Sequence, residues 1–227
     1  MNTALKNGLL LSFAVISFFM HYNHFPKDLV SIHVWRQTQT QSTIDNFYEE
    51  DMNIFNPRRN DRGDTEGLFR MEFPLAQWLV ALAYKLFGPN LIISRLMMFL
   101  FGLFSMLGIY RLLRVLFGKE ILALMGAWAF TFSPSFFYYT INPLPDNLAL
   151  FCGIWGLVFF FSWQNSQKTI HLILSGLMIG LAALCKLPFI LYFVVPGYFY
   201  ISKMMRQGIT GKVVARAAIP LSFILLP

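Results

Sequence analysis

Two carboxylates stand out by their surroundings. Glu72 lies in Arg70-Met71-Glu72-Phe73-Pro74 and Asp146 in Asn142-Pro143-Leu144-Pro145-Asp146-Asn147, each set among apolar residues or prolines beside an apolar run. A carboxylate there can take a proton from a hydroxyl or hold a cation, and an ionisable group at membrane depth is a functional hypothesis by default. The competing reading is structural, because an acid at a helix N-terminus gains ~0.3–1 kcal/mol from the helix dipole. Residue type alone leaves both open.

A second cluster, His33-Val34-Trp35-Arg36-Gln37, puts a ligand or base, a stacking ring and a guanidinium within five residues. Arg holds phosphate bidentately and Trp can cover a sugar face, so the grouping suits a sugar phosphate. Taken alone the residues favour a plainer reading, a Trp and a His at the membrane interface with a snorkelling Arg. Lys85, Arg95 and Lys186 are cations near the same boundary, and such cations are more often snorkelling anchors than phosphate ligands. His21 and His24 read as interfacial, His171 beside Lys168 as structural, and Phe136-Phe137-Tyr138-Tyr139 as an aromatic belt. No P-loop, GxGxxG, HExxH or GxSxG motif is present. Cys152 and Cys185, the only cysteines, lie inside apolar runs and imply neither a disulfide framework nor a zinc site.

The elements that must position these residues are membrane helices. Hydrophobic residues make up 56% of the 227 and charged ones 13%, against ~25% charged in soluble domains. With a mean hydropathy of +0.56, a soluble enzyme and a disordered chain are excluded. Apolar runs fall at about 8–22, 75–87, 91–110, 121–139, 147–163, 170–187, 188–202 and 213–227, to be compared with the ~20 residues that cross a bilayer as a helix. The first run follows Lys6 and lacks a small-x-small cleavage pattern, so it reads as an uncleaved anchor.

The net charge of +7 is unevenly spread. Residues 23–73 hold nine of the eleven acids and six of the eighteen bases, a net −3, which leaves +10 for the rest, mostly in short breaks between apolar runs. That is the pattern of topology and not of nucleic-acid binding. Lys6, the Arg111-Arg114-Lys119 break, Lys168 and the Lys203–Arg216 break share one side only if 75–87 does not cross. Its 13 residues suit an interfacial or re-entrant helix. The N-terminus is then cytoplasmic, and 23–90 lies with the Thr140–Asn147 break on the outer face. Within the outer segment, Thr38–Tyr48 reads as an amphipathic helix and 56–64 as a turn-rich loop. Fifty-odd residues bury little core alone, so this segment is expected to pack on the membrane helices.

The order of the pieces resembles the membrane glycosyltransferases that use polyprenyl-phosphate sugars, the GT-C group containing protein O-mannosyltransferases and lipid A aminoarabinose transferases. The resemblance rests on Glu72-Phe73-Pro74-Leu75-Ala76-Gln77-Trp78-Leu79 leading to Tyr84-Lys85-Leu86-Phe87-Gly88, which is similar to the family's acid-x-Pro-Leu-x-x-Trp-Leu run. Ser94-Arg95-Leu96, Tyr110-Arg111, Pro145-Asp146 and Leu181–Pro188 follow in the family's order. It covers about residues 5 to 202. It implies an inverting sugar transfer from a lipid phosphate to an acceptor hydroxyl at the outer face, with an outer-loop carboxylate as base and the leaving phosphate stabilised by cations or by a bound divalent metal. No cofactor is certain from it.

One departure matters. Where the family carries an early outer-loop Asp or Asp-Glu pair followed by Arg-Tyr, this chain reads His33-Val34-Trp35-Arg36-Gln37-Thr38-Gln39-Thr40-Gln41, with no carboxylate until Asp45. The expectation is a branch with a Trp-Arg-Gln version of the motif. Glu72, Asp146 and Asp45 are then the candidate catalytic acids, and His33, Trp35, Arg36, Gln37, Arg70, Lys85, Arg95 and Lys186 the candidate substrate-binding residues.

The whole is expected to be an all-α membrane protein, a single transmembrane domain over 1–227 forming a multi-span helical bundle, with a long outer loop carrying interfacial helices after the first span. Its partners would be the bilayer, a polyprenyl-phosphate sugar and an acceptor glycan, lipid or protein, with no nucleic acid, and its location a plasma membrane, preferably the bacterial inner membrane. The alternative is a non-catalytic membrane protein that binds polyprenyl lipid or assists assembly. A transporter fits less well, for repeat symmetry and paired broken spans are not evident. Because 213–227 stops inside an apolar run, the chain is expected to be the N-terminal portion of a longer enzyme.

Overall fold

The computed structural model describes residues 2–29 and 32–207, with 211, 216, 218, 219 and 222; the expected span 213–227 lies mostly outside the described residues. Among these the architecture is all helical, and the only β pairing is an isolated bridge between Arg58 and Leu68. The helices are α1 (Thr3–Tyr22), α2 (Val34–Glu49), α3 (Leu75–Phe87), α4 (Leu91–Phe117), α5 (Glu120–Thr131), α6 (Pro134–Thr140), α7 (Asp146–Ser166), α8 (Thr169–Cys185) and α9 (Val194–Gln207). A 3-10 segment, Leu187–Phe193, joins α8 to α9.

Among the described residues three helices and the stretch Leu187–Arg206 are long and apolar enough to cross a membrane: α1, α4 and α7 are the three. The α5–α6 pair makes a fifth span if its 57° bend is counted as one crossing. This is a multi-span membrane protein. The bend falls where the sequence suggests one unbroken run, 121–139. Ser133 caps α6, its Oγ accepting from Phe136 N at 3.1 Å, and Pro134 occupies the first turn. Proline pre-sets that position but cannot continue a preceding helix, so the apolar run breaks in two.

Several boundaries follow local chemistry. Asn2 and Asn90 cap α1 and α4, accepting from Ala4 N at 3.1 Å and Ile92 N at 2.9 Å. Gly118 closes α4 at φ 68°, a left-handed conformation that costs glycine little. Apolar residues alone suggested that the third run ends near 110, yet α4 continues for two turns through Arg111 and Arg114 to Phe117. Its positive residues sit at the C-terminal end, where the helix dipole favours them.

The described residues of segment 23–90 pack on the membrane helices. Ile44 and Phe47 of α2 and Ala76, Val80 and Tyr84 of α3 share one buried core with Met98 of α4, Leu148 and Cys152 of α7 and Ala182 and Cys185 of α8. Further ties are polar. His21 Nε2 and Thr140 Oγ1 are 2.7 Å apart, joining the end of α1 to the end of α6. The buried Arg95 guanidinium donates to the carbonyls of His24, Phe25, Lys27 and Asp28, fixing the turn after α1 onto the start of α4. The Arg95 tie places the end of α1 beside the start of α4, so these two helices run antiparallel.

Candidate active site

Glu72 sits in the short segment that delivers the chain into α3. Phe73 N donates to Leu184 O at 3.0 Å, holding this segment against the end of α8. The Glu72 carboxylate forms an ion pair with Arg36 in the first turn of α2. Both side chains are largely buried, 17% and 18% exposed.

Asp146 opens α7 after Pro143 and Pro145, and its Oδ2 accepts from Lys186 Nζ at 2.6 Å. Lys186 is in reach because α8 ends at Cys185. Lys186 itself is extended at φ −159°, ψ 113°, between the end of α8 and the 3-10 segment, whose first turn holds Pro188. Asn147 locks the turn beside Asp146 by donating to Tyr139 O at 2.8 Å and Leu144 O at 3.1 Å.

The two ion pairs lie close, since Phe73 N bonds Leu184 O and Glu72 lines one cleft with Leu184 and Leu187, on either side of Lys186. Burial, the largest influence, pushes the Glu72 carboxyl above the usual glutamate range. The Arg36 guanidinium and then Lys186 oppose it, and the negative charge of Asp146 adds to it. A half-buried carboxyl of raised proton affinity with two cations beside it can accept a proton while the cations hold an anion.

Cavities open on either side of the two pairs. Glu72 lines an open cleft of about 620 Å³ with Phe55, Arg70, Phe73, Leu184 and Leu187. Asp146 lines an apolar cavity of about 450 Å³ with Ser105, Phe130, Phe136, Tyr139 and Phe189. Arg36 and Glu72 also border a small pocket with Thr40, Thr43 and Gln77, where the buried Gln77 Oε1 lacks a partner among the described residues.

Glu72, Asp146, Arg36 and Lys186 are therefore brought together, with the exposed Arg70 on the cleft wall. Other candidates stand apart, each for a physical reason. Asp45 accepts from Gln41 Nε2 at 2.7 Å, in a network with Tyr84 and Ser94. It is nine residues from Arg36, which on an α-helix turns it about 180° to the opposite face. Burial raises its proton affinity too, but away from Glu72. Lys85 lies in the last turn of α3, about 15 Å along the helix from its first residue, Leu75, at 1.5 Å per residue. It donates to Tyr48 O at 2.6 Å and lies over the Tyr48 ring. Arg95 is occupied by four carbonyls. Of the His33–Gln37 cluster only Arg36 meets Glu72. Trp35 is 69% exposed, Gln37 is buried in α2, and His33 Nδ1 is 2.7 Å from the Tyr138 hydroxyl.

Tyr139, on the cavity beside Asp146, and Gln77, on the pocket beside Glu72, are neighbours of the site that sequence reasoning passed over. Tyr139 is indistinguishable in sequence from a belt aromatic, and Gln77 is one polar residue inside an apolar run. Among the described residues no three His, Cys, Asp or Glu side chains converge on a metal-sized site. Glu72 and Asp146 each face a cation of the protein, so the residues present do not form a ready cage for a divalent ion.

Residues 72–227 match the family model described as dolichyl-phosphate-mannose-protein mannosyltransferase. No curated protein and no solved structure matches the chain.

Proposed function

Since the chain belongs to the dolichyl-phosphate-mannose-protein mannosyltransferase family, we propose that it transfers a sugar, with inversion, from a polyprenyl phosphate to an acceptor hydroxyl at the outer face of a bacterial plasma membrane. The observation that carries this reading is the meeting of the Arg36–Glu72 and Lys186–Asp146 pairs between an apolar cavity and an open cleft.

Without substrate the two cations and two carboxylates neutralise one another. A lipid phosphate entering between them draws Arg36 and Lys186 onto its oxygens and frees Glu72, with Arg70 adding charge from the cleft wall. The isoprenoid chain suits the apolar cavity beside Asp146, and the acceptor suits the cleft beside Glu72. Glu72 takes the acceptor's hydroxyl proton as the oxygen attacks the anomeric carbon opposite the phosphate. The carbon–oxygen bond to phosphate breaks, its electron pair leaves on the polyprenyl phosphate, and the cations face the new charge. In this low-dielectric place those contacts are stronger than in water.

The test is turnover of a radiolabelled polyprenyl-phosphate sugar by the purified chain and its variants. Glu72→Gln is expected to lose about 10²–10⁴-fold, the usual worth of a general base. Equal turnover by Glu72→Gln, Asp146→Asn and the parent would overturn the assignment. A second reading, lipid binding without transfer, draws on the pairing of both carboxylates with cations. Saturable lipid binding with no sugar transferred would favour it.

A further inference from the structure

At the opposite end of the bundle the helices enclose a cleft of about 640 Å³ with a charged mouth and an apolar floor. Lys6 in the first turns of α1 and Arg111 and Arg114 near the end of α4 form the mouth; Leu10, Leu107 and Trp155 form the floor. Its place follows from the helices. Arg111 is twenty residues beyond Leu91, about 30 Å along α4, which is the thickness of a bilayer's hydrocarbon core. The mouth is thus one membrane thickness from the Leu91 end of α4, at the far interface.

The cations differ in what they already do. Arg114 Nε pairs with Glu120 at 3.1 Å, and its Nη1 donates to Gly118 O, so Arg114 is engaged in closing α4. Tyr110 also donates to Glu120. Glu120 is the one acid near the mouth and does not line it. The side chains of Lys6 and Arg111 meet no carboxylate or other acceptor among the described residues. Two unpaired cations therefore face one cleft from two different helices.

Trp155 fixes the depth. It belongs to α7, and its Nε1 donates to Phe104 O at 2.9 Å, which holds the indole across the inner end of the cleft. From Gly118 back to Leu107 the wall of α4 runs about 16 Å. A snorkelling cation alone needs no such floor. A bare phosphate would leave it empty, and a neutral amphiphile would leave the mouth unpaired.

We infer that this cleft binds an anionic phospholipid, with the headgroup phosphate between Lys6 and Arg111 and an acyl chain along Leu10, Leu107 and Trp155. The ligand chemistry is a phosphodiester joined to a hydrocarbon chain, and basic pockets between membrane helices take such headgroups. The site is separate from the Glu72–Asp146 unit and does not depend on the reading of that unit as catalytic.

The test is native mass spectrometry of the full chain released from neutral detergent with added phosphatidylglycerol, phosphatidylcholine or inorganic phosphate. The parent is expected to hold phosphatidylglycerol about thirtyfold more tightly than phosphatidylcholine, the worth of two interfacial cations. Lys6→Gln with Arg111→Gln should abolish that preference. Lys6→Arg with Arg111→Lys should keep it, as should Lys203→Gln with Arg206→Gln on α9. Equal retention of the two lipids by the parent overturns the site without recourse to any variant. So does an unchanged preference in the Lys6→Gln, Arg111→Gln chain. Displacement of phosphatidylglycerol by millimolar inorganic phosphate would overturn the part assigned to the acyl chain.

Discussion

Arg36 favours the charged form of the Glu72 carboxylate against the larger, opposite effect of burial, and this opposition sets a measurable quantity. If Glu72 must be ionised to accept a proton, activity rises with pH through its folded-state pKa, which lies above the ordinary glutamate range. Removing a cation raises that pKa further. The acidic limb of the pH–rate profile is therefore expected at higher pH in Arg36→Gln, and to a smaller degree in Lys186→Gln, the second of the two cationic influences. A limb that stays in place in both would remove Glu72 from the base role. Arg95 answers to a different measurement. Arg95→Lys keeps the charge but cannot reach four carbonyls with one ammonium, and each buried acceptor left unpaired costs ~1–3 kcal/mol. We expect a lower unfolding midpoint with lipid-phosphate binding unchanged; weakened binding at unchanged stability would restore Arg95 to the substrate site.

The helices meet closely where side chains are small. A Cβ on Gly156 of α7 would stand 2.4 Å from Ile179 Cγ1 and 3.1 Å from Ile179 N on α8. Gly156→Ala is expected to cost ~1–3 kcal/mol by overpacking this contact. On α1, where no atom lies within 4 Å of the corresponding position, Gly8→Ala should leave the midpoint unchanged or raised. Thermal unfolding in detergent distinguishes the two, and equal effects would mean that α7 and α8 are not packed this way. This is also the scale at which sequence reading ran out. The acids at Glu72 and Asp146 were visible because charge among apolar residues and prolines is conspicuous. Their partners were named as cations, but the pairing was not, since Arg36 and Glu72 are 36 positions apart and Asp146 and Lys186 are 40. The role of Arg95 was hidden for another reason: its ligands are backbone carbonyls, which every residue has. Asp45 looked eligible because proximity in sequence says nothing of helix face. The break between α5 and α6 did have a signal in Ser133-Pro134, but continuous hydrophobicity on both sides concealed it.

For the molecule as a whole, the concentration of Lys and Arg in the short breaks outside residues 23–73 leads us to propose an orientation with those breaks inside and residues 23–73 outside. Because Cys152 and Cys185 are both buried, single cysteines can report it cleanly. Asp64→Cys should react with a membrane-impermeant maleimide added to intact cells, and Lys119→Cys only after permeabilisation. The reverse pattern would invert the topology and move the proposed reaction to the other face. The hydrogen bond from Phe73 to Leu184 has a bearing on time as well as place. A chain is made from its N-terminus, so Glu72 emerges long before the residue that holds its segment and before Lys186, which stands opposite Asp146. Arg36 and Glu72 are available early, but their surroundings wait for α8. The order of synthesis thus separates an early half-site from its completion, and a nascent chain halted before Leu184 would carry the loop without its anchorage.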